Sequence, residues 1–242
     1  MSSSLCVAIA LNTITTSSSA APPAPAFHHL LVRAPQSPVA MRDYYYGLFD
    51  SAGVHQEMVD GVPGVASGDA HLMFIGDTTS RDRPSALWHF GWGNVVLNEA
   101  YAQHYLKEVE WKDARVSLVD RFHLHLNTAD PHAAASWYAT AFAADVVFGE
   151  RAAPMGADDV NRRAEAFVRL GEVTLAFYRT SDPLACSTGQ RVDHLGVIAD
   201  LALAAKAPRP SHLCQSIDPA PDFRPATVIE GPDGFVIEVM AR

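Results

Sequence analysis

One pattern occurs four times in this 242-residue chain: a strand with a histidine near its start, then a break into helix. An internal repeat restricts the choice of fold more than composition does. The clearest copy is Arg121–Phe142, RFHLHLNTADPHAAASWYATAF. Strand side chains alternate, so His123, His125 and Asn127 share one face while Phe122, Leu124, Leu126 and Thr128 share the other. Asp130 and Pro131 have the form of an N-cap followed by proline at the first helical position. Ala134, Trp137, Tyr138, Ala141 and Phe142 then recur at helical spacing. The helix is expected to cover the apolar face of the strand and leave the histidines on the opposite one.

Phe27–Ala34 repeats the strand, with His29, Leu31 and Arg33 set against Leu30, Val32 and Ala34. Ser37 and Pro38 repeat the cap, and Met41, Tyr44, Tyr45, Leu48 and Phe49 form the helical stripe. A further strand is expected at His71–Ile75. Leu87–Gly93 is a third copy carrying His89, with a helix expected over 98–107. Only 15 residues, Glu108–Phe122, then precede His123, so this copy reads as truncated. Ala164–Leu170 and Val173–Tyr178 read as a hairpin turning at Gly171. Val192–Ala199 is the fourth copy, with His194, Gly196 and Ile198 on one face and Asp200 capping a short helix. Ala226–Glu230 and Phe235–Ala241 flank the turn sequence Gly231-Pro232-Asp233-Gly234. In that last strand Glu238 stands between Ile237 and Val239, and a buried carboxylate there needs a partner. A cation such as Arg33 or Arg179 is the plain choice.

The formal charge is −9, with no Lys/Arg block, which gives no electrostatic footprint for nucleic acid or an anionic membrane surface. Residues 1–26 are uncharged, rich in Ser, Ala and Pro, and outside the fold. They read as an export leader, although the positive start of a secretory signal is missing, or as a disordered linker in a cytoplasmic chain. No later run is long enough to span a bilayer. Cys6, Cys186 and Cys214 lack metal-site spacing. Cys186 and Cys214 read as two inert thiols, with pairing reserved for an oxidising compartment.

HLHLNTADPHAAASWY, VDHLGVIAD and EGPDGFVIEV resemble three passages of the vicinal oxygen chelate superfamily, which includes glyoxalase I, the bleomycin-resistance proteins and the extradiol dioxygenases. They correspond to the first strand and helix of its βαβββ module, the opening strand of the paired module, and its closing hairpin. The resemblance covers about residues 27–242. It implies an α+β fold of βαβββ modules paired into half-open mixed β-barrels. Residues 27–120 would be an N-terminal half with a truncated second module, and 121–242 a complete C-terminal domain.

The resemblance also implies a concave metal site. If the last two modules pair, His123, His194 and Glu238 converge as its ligands, two imidazoles and one carboxylate with open coordination positions. Such a set suits Fe(II) or Mn(II), and Zn(II) also fits. Glyoxalase-like members carry a fourth, carboxylate ligand, and the aligned position here is Ala176. The three-ligand pattern resembles the extradiol enzymes, although Val228 stands where those carry a tyrosine. His125 is the candidate acid–base group or alternative ligand, and Tyr178 a pocket candidate. The implied function is a metal-dependent dioxygenase, lyase or isomerase acting on a small oxygen-bearing substrate. The alternative is a metal-free protein that sequesters a small hydrophobic or antibiotic-like ligand. His29 and His89 have no matching glutamate, so the N-terminal half is expected to have lost its metal and to shape the pocket or form a homodimer contact.

Overall fold

The computed structural model describes residues 24–49, 54–68, 70–77, 83–92, 122–151, 164–209, 214 and 226–241. The helix expected over 98–107 and residues 1–23 lie outside them. The first module runs β1 (Ala26–Ala34), α1 (Pro38–Leu48), β2 (His55–Val59), β3 (Val62–Ser67) and β4 (Ala70–Gly76). β5 (Leu87–Trp92) is the described strand of the third copy. The central module runs β6 (Phe122–Thr128), α2 (Pro131–Phe142), β7 (Asp145–Arg151), β8 (Ala164–Leu170) and β9 (Val173–Arg179). β10 (Val192–Ile198), α3 (Leu201–Ala204), β11 (Ala226–Glu230) and β12 (Val236–Met240) complete the chain.

Local chemistry accounts for the helix starts. The Asp130 carboxylate accepts from the backbone N–H groups of His132 and Ala133, and Asp200 does the same for Ala202 and Leu203. Each satisfies donors that the first helical turn leaves open. Ser37 makes no such side-chain bond, and Pro38 alone sets the start of α1.

The strands form two mixed sheets, ordered β11-β12-β10-β1-β4-β3-β2 and β5-β6-β9-β8-β7. Neither closes on itself, as half-open barrels require, and the fold is α+β. β10 runs antiparallel to β1, joining the last module to the first, while β6 of the central module pairs with β5.

One core lies between the apolar faces of the two sheets and takes in α1 and α2. The Phe27 and Phe122 rings meet across it at 5.3 Å, and Tyr45 stacks on Phe74 at 5.1 Å. His29, His123, His125 and His194 therefore occupy the opposite face of their sheets, away from the shared core. Cys186 and Cys214 form a disulfide, not the two free thiols expected. It packs against the Gly234 turn that leads into β12. Among the described residues no helix is long and apolar enough to cross a membrane.

Candidate metal centre

Strand pairing decides which histidines meet. Because β10 lies between β1 and β12, Gly196 has His29 on one side and Glu238 on the other. His194 is two residues earlier on the same strand and therefore on the same face. Three side chains from three strands thus converge. His29 Nε2 and His194 Nε2 are 3.1 Å apart, and Glu238 Oε2 lies 3.4 Å from each. All three residues are at most 4% exposed.

Gly196 makes the convergence possible. A Cβ at that position would lie 2.9 Å from His29 Cγ and closer still to Nδ1 and Cε1. The imidazole occupies the space a side chain would take and reaches across β10 to Glu238.

Two bulges aim the neighbouring side chains. Phe27 pairs with Val197 and His29 with Gly196, which leaves His28 as the extra residue on β1. Such an insertion turns a strand locally and redirects side chains. Phe27 enters the core, whereas the ring nitrogens His28 Nδ1 and His29 Nδ1 approach to 2.9 Å. On β10 the extra residue is Asp193, between Val192 and His194.

His194 Nδ1 donates to Asp193 Oδ1 at 2.8 Å, which presents Nε2 to the other two groups. Asp193 Oδ2 accepts from Arg33 Nε at 2.6 Å and from the Gly189 backbone N–H at 2.9 Å. Arg33 Nη1 in turn donates to Asp77 at 2.8 Å.

The electrostatics follow from these contacts. Burial, with help from the charges of His194, His28 and His71, holds the His29 imidazole well below its ordinary value, so it stays neutral. Burial pushes His194 the same way but is outweighed by Asp193 and Glu238, and its value rises. Asp193 is held low despite burial by His194, the Gly189 N–H and Arg33. Glu238 therefore does not pair with Arg33 or Arg179. Arg33 is committed to Asp193 and Asp77, and Arg179 to Glu165.

The donor set matches what a first-row divalent ion needs. Ligands about 2.1 Å from one ion stand about 3.0 Å apart in octahedral and about 3.4 Å apart in tetrahedral geometry, and the triad spans the same range. Among the described residues it is the one group of at least three His, Cys, Asp or Glu whose ligand atoms all lie within 4.8 Å of one another.

The expected His123–His194–Glu238 set is not assembled. His194 and Glu238 are together, but His123 is on β6 of the five-stranded sheet, because β10 pairs with β1 and not with β6. His29 stands in its place, so the N-terminal module contributes directly to the site. His125 and Tyr178 also belong to the five-stranded sheet, where their rings stack at 5.0 Å. His123 and His125 are 5.0 Å apart there. His125 and Tyr178 thus lie on a different sheet from the triad.

Internal symmetry locates the counterpart of Glu238 in the first module. Glu238 is two residues beyond the partner of His194 on β12, and Met73 is two beyond the partner of His29 on β4. A buried thioether therefore stands where a fourth, carboxylate ligand would complete the set. Sequence reasoning missed His29, Asp193 and Arg33 as parts of the site. The available signal was Gly196, the residue without a side chain on the ligand face of its strand.

No family model matches the sequence, and no curated protein does. Solved structures do match in fold. Glyoxalase I from Zea mays superposes with a TM-score of 0.53 at 11% identity, covering 89% of this chain and 92% of that one. Two single-residue variants of the Zea mays enzyme superpose with TM-scores of 0.54, also at 11% identity. They cover 89% and 90% of this chain and 92% and 94% of theirs. The chain therefore has the fold of glyoxalase I.

Proposed function

We propose that this protein is a mononuclear metal-dependent enzyme of the dioxygenase, lyase or isomerase type, acting on a small oxygen-bearing molecule. The observation that carries this reading is the convergence of His29 Nε2, His194 Nε2 and Glu238 Oε2 within 3.4 Å of one another on a buried surface. These three residues would hold the ion. Fe(II) or Mn(II) suits two imidazoles and one carboxylate with open positions, and Zn(II) is also compatible. When bound, the ion supplies Lewis acidity toward adjacent substrate oxygens or a site for O2.

The chain's own residues do the positioning. Asp193 holds the His194 ring in one tautomer, and Arg33 holds Asp193. Gly196 leaves room for His29. Leu31 and Met73, fully buried in the row of residues beside the triad, keep that side of the site apolar. Asp193 also provides a charged acceptor next to the site, through which a proton on His194 is stabilised. The Cys186–Cys214 disulfide supports the export reading of residues 1–26, since such bonds persist in oxidising compartments.

Elemental analysis of untagged protein purified without chelators tests the proposal. About one Fe, Mn or Zn per chain is expected, lost in His29→Ala, His194→Ala and Glu238→Gln variants that keep their circular dichroism. A screen of catechols and α-ketoaldehydes against metal-loaded protein then addresses the substrate. Metal-free wild type that instead binds a small hydrophobic ligand would favour sequestration.

A further inference from the structure

The sheet that carries the triad brings a carboxylate and further imidazoles close to one another at a second place. Neighbouring strands lie about 4.8 Å apart, so a small residue on the strand between them lets side chains two strands apart approach. Gly196 on β10 plays that part for His29 and Glu238. On the other side of β1 the same row continues through His71 on β4, Ala66 on β3 and His55 on β2. The next row contains Glu57, Gly64 and Met73. β3 thus presents Ala66 and Gly64 between β2 and β4. Gly64 has no room for more, since a Cβ there would lie 2.8 Å from the Leu72 carbonyl oxygen.

Over this trough Glu57 reaches from β2 to β4, and its Oε1 lies 2.5 Å from His71 Nδ1. Its other oxygen lies 3.9 Å from His55 Nε2. The bulged His28 closes the inner side, with its ring 4.9 Å from that of His71. His71 and His55 thus stand to either side of the Glu57 carboxylate, with His28 next to His71, beside the triad but outside it. The His71 and Glu57 side chains are 21% and 19% exposed, whereas that of His55 is 62% exposed.

We propose that His28, His55, Glu57 and His71 form a second site for a borderline divalent cation of the Zn(II) type, weaker than the triad. Imidazole and carboxylate donors without thiolate select that class. Its weakness follows from exposure and from the need to order His55 on binding. No ion need be shared, so the outer site does not depend on the enzymatic reading of the inner one.

Calorimetric titration of Zn(II) into the untagged, chelator-stripped full chain tests this, with bound zinc counted after gel filtration. Wild type is expected to take two ions per chain, the second at least roughly tenfold more weakly. His55→Ala/His71→Ala should lose the weak ion and keep the tight one, and His194→Ala the reverse. Three results would overturn the proposal: one ion in wild type that is lost in His194→Ala, a second ion that survives His55→Ala/His71→Ala, or loss of both ions in His194→Ala. A single ion lost in the double variant but kept in His194→Ala would instead sustain the outer site and defeat the triad reading.

Discussion

Gly196 and His29 fit together as socket and ring: the imidazole lies over the glycine of the neighbouring strand in space that a Cβ would fill. The backbone of β10 cannot yield cheaply, being paired on both sides. Gly196→Ala should push the His29 ring off the triad and lower metal affinity at least tenfold, at a folding cost of about 1–3 kcal/mol typical of overpacking. Zinc titration alongside urea denaturation checks both effects. Unchanged affinity would mean that His29 is not a ligand.

Asp193 acts on the site through His194. Asp193→Asn keeps the size of the side chain but removes the charge that holds the ring and faces Arg33. Partners of this kind contribute about 10–100-fold to metal affinity. A loss in that range is expected, with the His29 and Glu238 contacts left in place. Equal affinity for wild type and variant would contradict the orienting role.

Without an ion, stability should peak near the ordinary imidazole value of 6.5. His29 is depressed by burial and by the charges of His194, His28 and His71. Below 6.5 the unfolded chain therefore binds more protons, and stability is lost as pH falls through the folded value. His194 is opposite in sign, because Asp193 and Glu238 outweigh burial and raise it. Its contribution is fully present below 6.5 and is lost as pH rises through the folded value. Urea denaturation of chelator-treated protein across pH should show both limbs. His29→Gln should flatten the acid limb and His194→Gln the alkaline one.

Met73 is the symmetry counterpart of Glu238. Met73→Glu should add a fourth ligand and tighten zinc binding by at least about tenfold. Without metal the same variant buries an uncompensated carboxylate and should lose stability. Loss of stability that zinc restores is the expected signature, measured by thermal unfolding with and without the ion.

Much of this architecture is legible in the sequence, and the reason is local physics. Alternation along 122–128 and 192–198 places histidine opposite leucine, and Asp130 and Asp200 mark helix starts through short-range hydrogen bonds. The choice between His29 and His123 is not local. Both sit on strands with the same pattern, and only the long-range pairing of β10 with β1 separates them. The bulges at His28 and Asp193 are equally hidden, because each depends on the register of a strand more than 150 residues away. Cys186 and Cys214, 28 residues apart, gave no spacing signal for the bond they form.

Anomalous diffraction from crystals of metal-loaded protein, collected at the edge of the bound ion, locates the ion against its ligands. The strongest peak is expected at about 2.0–2.2 Å from His29 Nε2, His194 Nε2 and Glu238 Oε2. A strongest peak on β6 beside His123 and His125, with the triad empty, would contradict it.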